Sequence, residues 1–196
     1  MKKAYFLLAS ALVGVASAGA AEQFFSPEGA GSKDGTSWEN AADGSTLAAK
    51  VKAAKAGDGF YLRAGTYTPG TLTVPAGVSI RGGYGEAYSG TETHIAYPSP
   101  DETILSADTD GNGVGDNAAK AFITLSYSAL PSNSEAVVLA GLTVRDAVYT
   151  GTSNYAGSAV YGKNANAEFD HVRFIANSRN TGGGAVTLLA SQTYFH

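Results

Sequence analysis

The segment 108–116 carries oxygen-bearing side chains at a spacing that suits a metal ion. Counting from Asp108, acidic or amide residues occupy positions 1, 3, 5 and 9, and glycine occupies position 6. In EF-hand calcium loops these positions supply side-chain oxygens, position 7 supplies its backbone carbonyl, and the glycine allows a sharp turn. The pattern therefore predicts a calcium site formed by Asp108, Asp110, Asn112, Val114 and Asp116.

This segment departs from a complete EF-hand loop in two ways. Position 12 is Ala119, where a bidentate Glu is expected, and no helix is predicted on either side. The site therefore lacks two oxygens, and we expect a weak affinity with a Kd of about 10⁻⁴–10⁻³ M, as in extracellular modules. The alternative is a polar loop, rich in Asp, Gly and Asn, that binds no metal.

A second set of residues could serve polysaccharide chemistry or sugar binding. The candidates for acid–base work are Arg81, Arg145, Asp146, Asp170, His171 and Arg173. No carboxylate pair of the glycosidase type can be placed among them, so the alternative is that they are solvated residues on the outer faces of strands. For sugar stacking the candidate platforms are Tyr61, Tyr84, Tyr88 and Tyr97.

The elements that must position these residues are mostly strands. One amphipathic helix is predicted over 46–56, with Ser45 as its N-cap and Gly57 at its C-terminal end. After Gly57 the hydrophobic period becomes 2. Short alternating runs follow at 60–63, 72–74, 78–81, 103–105, 122–125, 137–144, 159–161, 172–174 and 185–188. A single helix among many strands excludes a doubly wound α/β fold.

Internal similarity distinguishes a solenoid from a sandwich. The apolar positions of 139–144 coincide with those of 169–174 at an offset of 30, and 157–160 resembles 183–186 at an offset of 26. Repeats of this kind stack like side chains on one another in successive coils. We therefore expect an all-β, right-handed parallel β-helix with the helix as its N-terminal cap. A β-sandwich is the alternative.

The N-terminus has the pattern of a secretory signal peptide. Lys2 and Lys3 precede an apolar stretch over 4–15, and small residues follow over 16–21. The stretch is too short to span a bilayer, and we expect no membrane span in the mature chain. Without residues 1–21 the formal charge of -4 becomes about -6, which excludes a nucleic-acid partner. The sequence has no Cys, so disulfides cannot stabilise it.

These boundaries divide the chain into a signal peptide over 1–21, a cap with the first strands over 22–66, and β-helix coils over 67–196. The apolar tail at 187–196 begins just after a repeat unit and offers no amphipathic cap. We expect the sequence to be truncated at its C-terminus for that reason.

Several stretches resemble the pectin-lyase-like parallel β-helix superfamily. They are 34–38, 56–59, 64–67, 79–84, 90–93 and 103–106. The pair formed by 174–177 (Phe-Ile-Ala-Asn) and 183–186 (Gly-Gly-Ala-Val) is similar to the repeats of polymorphic outer membrane proteins. Only one full pair is present, and no barrel segment of the kind found in that group follows it.

The resemblance implies a secreted, cell-surface or outer-membrane protein with a structural or adhesin-like role. Surface glycans or host and cell-surface proteins are then the expected partners, and catalysis by this chain is not expected. Two alternatives remain, the N-terminal part of a polysaccharide lyase or glycoside hydrolase of the same fold, and a carbohydrate-binding module.

Overall fold

The computed structural model describes residues 19–95, 98–117, 119–126, 136–152, 157–180 and 184–196. Nearly all of the predicted signal peptide, together with Tyr97, lies outside these ranges. Strands dominate the described chain, and the α-helix in it is short, which confirms the expected all-β class. No helix in the described ranges is both long and apolar enough to cross a membrane.

Fifteen strands and one α-helix follow one another along the described chain. The elements before residue 100 are β1 (Glu22–Ser26), β2 (Ala42–Asp43), a 3₁₀ turn (Gly44–Thr46), α1 (Leu47–Lys52), β3 (Gly59–Arg63), β4 (Gly65–Tyr67), β5 (Leu72–Pro75) and β6 (Ser79–Tyr84). The later ones are β7 (Thr103–Ser106), β8 (Ile123–Ser126), β9 (Val137–Arg145), β10 (Val148–Tyr149), β11 (Val160–Lys163), β12 (Ala167–Ile175), β13 (Ser178–Arg179), β14 (Val186–Leu189) and β15 (Thr193–Phe195).

The strands form three parallel sheets. The largest has nine strands, in the order β15-β12-β9-β6-β3-β1-β2, with β7 paired to both β4 and β9. A second sheet has the order β14-β11-β8-β5, and a third pairs β10 with β13. Every ladder between these strands is parallel, and the antiparallel contact Glu28–Asp43 is an isolated bridge. Two facing antiparallel sheets, the expected form of a sandwich, are therefore absent from the described strands.

The registers reproduce the internal similarity of the sequence. Leu139 pairs with Phe169 and Val144 with Phe174, which is the offset of 30 expected from the apolar pattern. Val160 pairs with Val186 at the expected offset of 26. The repeats therefore lie side by side in the sheets.

The main core is built from like residues on neighbouring strands. Phe60, Ile80, Leu139 and Phe169 are successive partners across the nine-stranded sheet, and all four are buried. The second sheet contributes a matching row, namely Leu72, Ile123, Val160 and Val186. Burial of these side chains supplies the main stabilisation of a chain without disulfides.

The helix is shorter than predicted and starts differently. The Asp43 carboxylate, rather than the Ser45 hydroxyl, caps the preceding 3₁₀ turn by accepting from the Ser45 N–H at 3.0 Å. After Lys52 the chain turns, because the Asp58 carboxylate accepts the Lys55 N–H at 2.8 Å. The predicted extension to residue 56 is therefore wrong. Leu47 and Val51 are fully buried, as expected for the apolar face.

Gly82 and Gly83 form an irregularity within a strand. Both glycines belong to β6, whose register with β3 shifts between Tyr61 and Arg63. A Cβ on Gly82 would lie 2.6 Å from the carbonyl oxygen of Gly141 on β9. Glycine is thus required because two backbones approach closely, and the extra residue makes a bulge.

Candidate functional site

The loop 108–116 lies between β7 and β8 and is anchored at both ends. The Asp108 N–H donates to the Ser106 hydroxyl oxygen at 3.2 Å, and the Asp116 N–H donates to the Ala107 carbonyl at 2.9 Å. These bonds bring the two ends of the loop together. As a result, one carboxylate oxygen from each of Asp108, Asp110 and Asp116 lies within 4.8 Å of the others.

Backbone hydrogen bonds hold Asp108 at the centre of the loop. Its Oδ1 accepts from the N–H groups of Gly111 and Asn112, at 2.8 and 3.2 Å, and its Oδ2 accepts from the Gly113 N–H at 2.8 Å. The bond from Gly113 is the main reason that the pKa of Asp108 is lowered from its usual value. The carboxylate is therefore ionised at neutral pH, as a cation ligand must be.

Asp116 is held by Thr109, whose hydroxyl and N–H both donate to its Oδ2. These bonds lower the pKa of Asp116, with the hydroxyl contributing most. Two of the three carboxylates thus keep a negative charge well into acidic solution.

The other two predicted ligands are placed differently. The Asn112 side chain accepts from the Val114 N–H at 2.8 Å and donates to Asp110 Oδ2 at 2.9 Å, so its amide already has partners in the loop. Val114 is 55% exposed. Ala119 is exposed as well, and a methyl group supplies no oxygen. The geometry therefore offers a three-carboxylate set that suits a hard cation such as Ca²⁺.

A groove of about 480 Å³ borders this loop. Its lining includes Asp108, Asp110, Ile104, Arg145 and Asp146. Arg145 Nε lies 2.6 Å from the buried carboxylate of Asp146, which also accepts from the Ser106 hydroxyl at 2.9 Å. This ion pair neutralises the arginine, so the groove has no unpaired positive charge at Arg145.

A second cleft, of about 350 Å³, lies on the nine-stranded sheet, and its lining includes Tyr61, Arg81, Ala140 and Asp170. The register places these four residues side by side on consecutive strands, β3, β6, β9 and β12. Asp170 Oδ1 contacts His171 Nδ1 at 2.5 Å.

The structure thus distributes the candidate acid–base residues over three places. Arg81 and Asp170 share the cleft, Arg145 and Asp146 pair at the groove, and Arg173 forms an ion pair with Asp101. No glycosidase-type carboxylate pair emerges from this set, because Asp146 and Asp170 lie in different places.

The tyrosine platforms are mostly used inside an aromatic cluster. Tyr84 is 1% exposed and packs against Trp38, with ring centroids 5.1 Å apart, so it cannot stack on a sugar. Tyr61 and Tyr88 are partly buried against this cluster, whose other buried member is Phe24. Burial raises the pKa of Tyr84 above its usual value. The sequence gives no signal for this cluster, because Trp38 and Tyr84 are distant from each other along the chain.

Comparison with protein-family models, with curated proteins and with solved structures gives no significant match. Evidence on function therefore comes from the site geometry and from the sequence itself.

Proposed function

We propose that this chain is an exported structural protein of the cell surface or extracellular space, folded as a right-handed parallel β-helix and adhesin-like in its use. Surface glycans or cell-surface proteins would be its partners. The observation that carries the proposal is the in-register parallel stacking of sequence repeats at offsets of 30 and 26.

The path of the chain between the sheets supports coiling. The run β9, β10, β11 supplies one strand to each of the three sheets, and the run β12, β13, β14 does so again in the same order. Each strand of the second run pairs in parallel with its equivalent in the first. Parallel connections of this kind are almost always right-handed, which supports the proposed hand.

The corners between strands also recur in register. Arg145 on β9 pairs with Ile175 on β12, and the next residue on each strand is Asp146 and Ala176. Both of these residues have positive φ, 62° and 54°. In the same way, Asn164 and Ala190 come directly after the last paired residues of β11 and β14, and their φ angles are 55° and 49°. Positive φ is uncommon in residues other than glycine. Its repetition at equivalent sites favours one coil shape used twice.

Asn177 supports the same interpretation through its side chain. Its Oδ1 accepts the Ala147 N–H at 3.0 Å, and its Nδ2 donates to the Val144 carbonyl at 2.9 Å. These backbone groups belong to the preceding repeat, 30 and 33 residues earlier. An amide at this corner thus bonds one proposed coil to the next.

The proposed cap is supported by the position of α1. This helix contacts β5, the terminal strand of the second sheet, and inserts Leu47 and Val51 into the main core. A helix in this place shields a sheet edge that would otherwise be open to other chains.

Calcium is part of the proposal. The three converging carboxylates of Asp108, Asp110 and Asp116 would hold the ion, with further oxygens from Asn112, the Val114 carbonyl or water. In this role calcium supplies stability to an extracellular fold that has no disulfide.

Export is tested by expressing the protein with its own N-terminus. We expect the exported material to begin at Glu22, after cleavage at Ala21, and surface labelling of intact cells to detect it. Leu7→Arg/Leu8→Arg would charge the apolar stretch and should stop cleavage and export. The matched control is Thr152→Arg, which adds a charge at an exposed residue outside the apolar stretch and should leave cleavage and export unchanged. Retention of residues 1–21 in a cytoplasmic, full-length product would contradict the proposal.

A further inference from the structure

The cleft on the nine-stranded sheet has residues of opposite charge at two positions of its floor. Arg81 lies on β6 and Asp170 on β12, and both line the cleft. Between them on β9 stands Ala140, the partner of each in the parallel ladders. Ala140 is 2% exposed, and its small methyl side chain lines the cleft between the two charged groups.

Arg81 is available to a ligand. Its guanidinium has no ion pair or hydrogen bond with any residue in the described part of the chain, and the residue is partly buried. Arg173, on the same sheet, is ion-paired with Asp101. A guanidinium stays charged at all ordinary pH and matches the two oxygens of a carboxylate. Arg81 is therefore suited to bind a carboxylate.

Asp170 offers the complementary contact. Its Oδ1 is occupied by His171, and no hydrogen bond within the described ranges involves its Oδ2. Two strand spacings, roughly 10 Å, separate the backbones of Arg81 and Asp170. A ligand of two extended residues spans about 7 Å. The side chains of Arg81 and Asp170 cover the rest of the distance between the two backbones.

The walls of the cleft suit a short, partly apolar ligand. Ile95 and Pro98 form one side, and the ring of Tyr61 lies at one end of the floor. The volume, about 350 Å³, is at the small end of the range for ligand sites.

We propose that this cleft binds a small zwitterion of dipeptide size, with its carboxylate on Arg81 and its ammonium group on Asp170. The paired charges of the ligand match the paired charges of the floor, whereas a sugar acid would use only the arginine. This inference depends on the observed registers and not on export, on calcium or on a β-helix.

The test is calorimetric titration of the purified protein with alanyl-alanine and its blocked forms. N-acetyl-alanyl-alanine lacks the ammonium group, and alanyl-alanine amide lacks the carboxylate. We expect the free dipeptide to bind and each blocked form to bind about 10- to 100-fold more weakly, as for the loss of a charged hydrogen bond. Absence of dipeptide binding at millimolar concentration would overturn the proposal. Glucuronate binding as tight as that of the dipeptide would overturn it too, because the ammonium contact would then add nothing.

Single-residue variants test whether Arg81 and Asp170 each contribute to dipeptide binding. Arg81→Gln and Asp170→Asn should each weaken dipeptide binding by about 10- to 100-fold, with unchanged circular dichroism. Arg173→Gln removes the same charge outside the cleft and should leave the affinity as it is. Equal loss in Arg173→Gln and Arg81→Gln would show a general charge effect and contradict a specific site. The blocked dipeptides keep the test decisive if a variant fails to fold.

Discussion

At the scale of single residues, the loop 108–116 contains concentrated negative charge with incomplete compensation. Three carboxylates share a region in which their oxygens lie within 4.8 Å. Asp108 is compensated by three backbone N–H groups and Asp116 by Thr109, while the Asp110 carboxylate accepts from the N–H and the side-chain amide of Asn112. Like charges at this distance repel one another. A divalent cation would relieve that repulsion and hold the loop in one conformation.

We therefore expect calcium to raise the melting temperature. With a Kd of about 10⁻⁴–10⁻³ M, millimolar calcium should add roughly 1–5 °C relative to excess chelator. Asp108→Asn/Asp110→Asn should abolish this difference, and Glu102→Gln, an exposed acid outside the loop, should retain it. Thermal unfolding followed by circular dichroism measures all three proteins. Identical melting curves for the unmodified protein in both buffers would show that the loop binds no calcium.

The pH dependence of the calcium effect follows from the lowered pKa values of Asp108 and Asp116. A carboxylate with a lowered folded-state pKa contributes stability that is fully present above the unfolded value of about 4 and is lost as the pH falls through the folded value. The calcium-dependent shift should therefore be the same at pH 7 and pH 5.5 and disappear only in strongly acidic solution.

At the scale of elements, the sequence predicted what depends on local pattern. The alternation of apolar residues located β3, β5, β7 and β9 to within one or two residues. The repeat offsets of 30 and 26 predicted the registers of β9 with β12 and of β11 with β14. The three acidic ligands also converge, because their spacing is local. Three-residue β4 and two-residue β10 and β13 were missed, since strands so short contain no measurable period.

The helix ends early through the local bond between the Lys55 N–H and the Asp58 carboxylate, which the period of the apolar face does not record. Other features could not be predicted because they join distant parts of the chain. The close approach of the Gly82 and Gly141 backbones depends on the fold, as does the meeting of Arg81, Ala140 and Asp170 in one cleft. The sequence favoured these polar residues as candidates but gave no means of grouping them.

Because the protein has no Cys, engineered disulfides can test the register of the second sheet. Tyr161 and Thr187 are neighbours on β11 and β14, and the strand spacing of about 4.8 Å suits a disulfide. We expect Tyr161→Cys/Thr187→Cys to oxidise readily and to stabilise the fold by about 3 kcal/mol. Free-thiol titration and denaturant unfolding provide the measurements.

The matched control shifts one cysteine along β14. In Tyr161→Cys/Leu189→Cys the second residue lies two positions further, so the backbones are roughly 8 Å apart, beyond the reach of a disulfide. Equal oxidation of both pairs would mean that the strands slide or that the register is wrong.

At the scale of the whole molecule, the two ends of the sheets differ. Near the N-terminus, α1 lies against β5. At the opposite end, β14 and β15 each pair on one side only within the described chain, and Tyr194 and Phe195 are 55% and 66% exposed. Unpaired strand edges beside exposed apolar rings favour association with another chain.

The purified chain of residues 22–196 should therefore associate reversibly as its concentration rises. Phe195→Lys places a charge at the open edge and should shift sedimentation toward monomer. Thr91→Lys, which adds the same charge at an exposed residue outside that edge, should behave as the unmodified protein does. Monomeric sedimentation of the unmodified protein at high concentration would contradict the expectation.

The parallel ladders also have a kinetic consequence. Each joins residues distant in sequence, from the 17-residue separation of Phe25 and Ala42 to the 59-residue separation of Ser79 and Val138. No described strand pair is a hairpin that could form early and guide the rest. The entropy cost of closing a long loop must be met before the hydrogen bonds of any ladder can form and offset it. Chains of such high contact order therefore fold slowly. A nascent chain of this design would stay unfolded for longer than a helical one of equal length. This delay would suit the proposed export, because the chain could be moved before its sheets assemble.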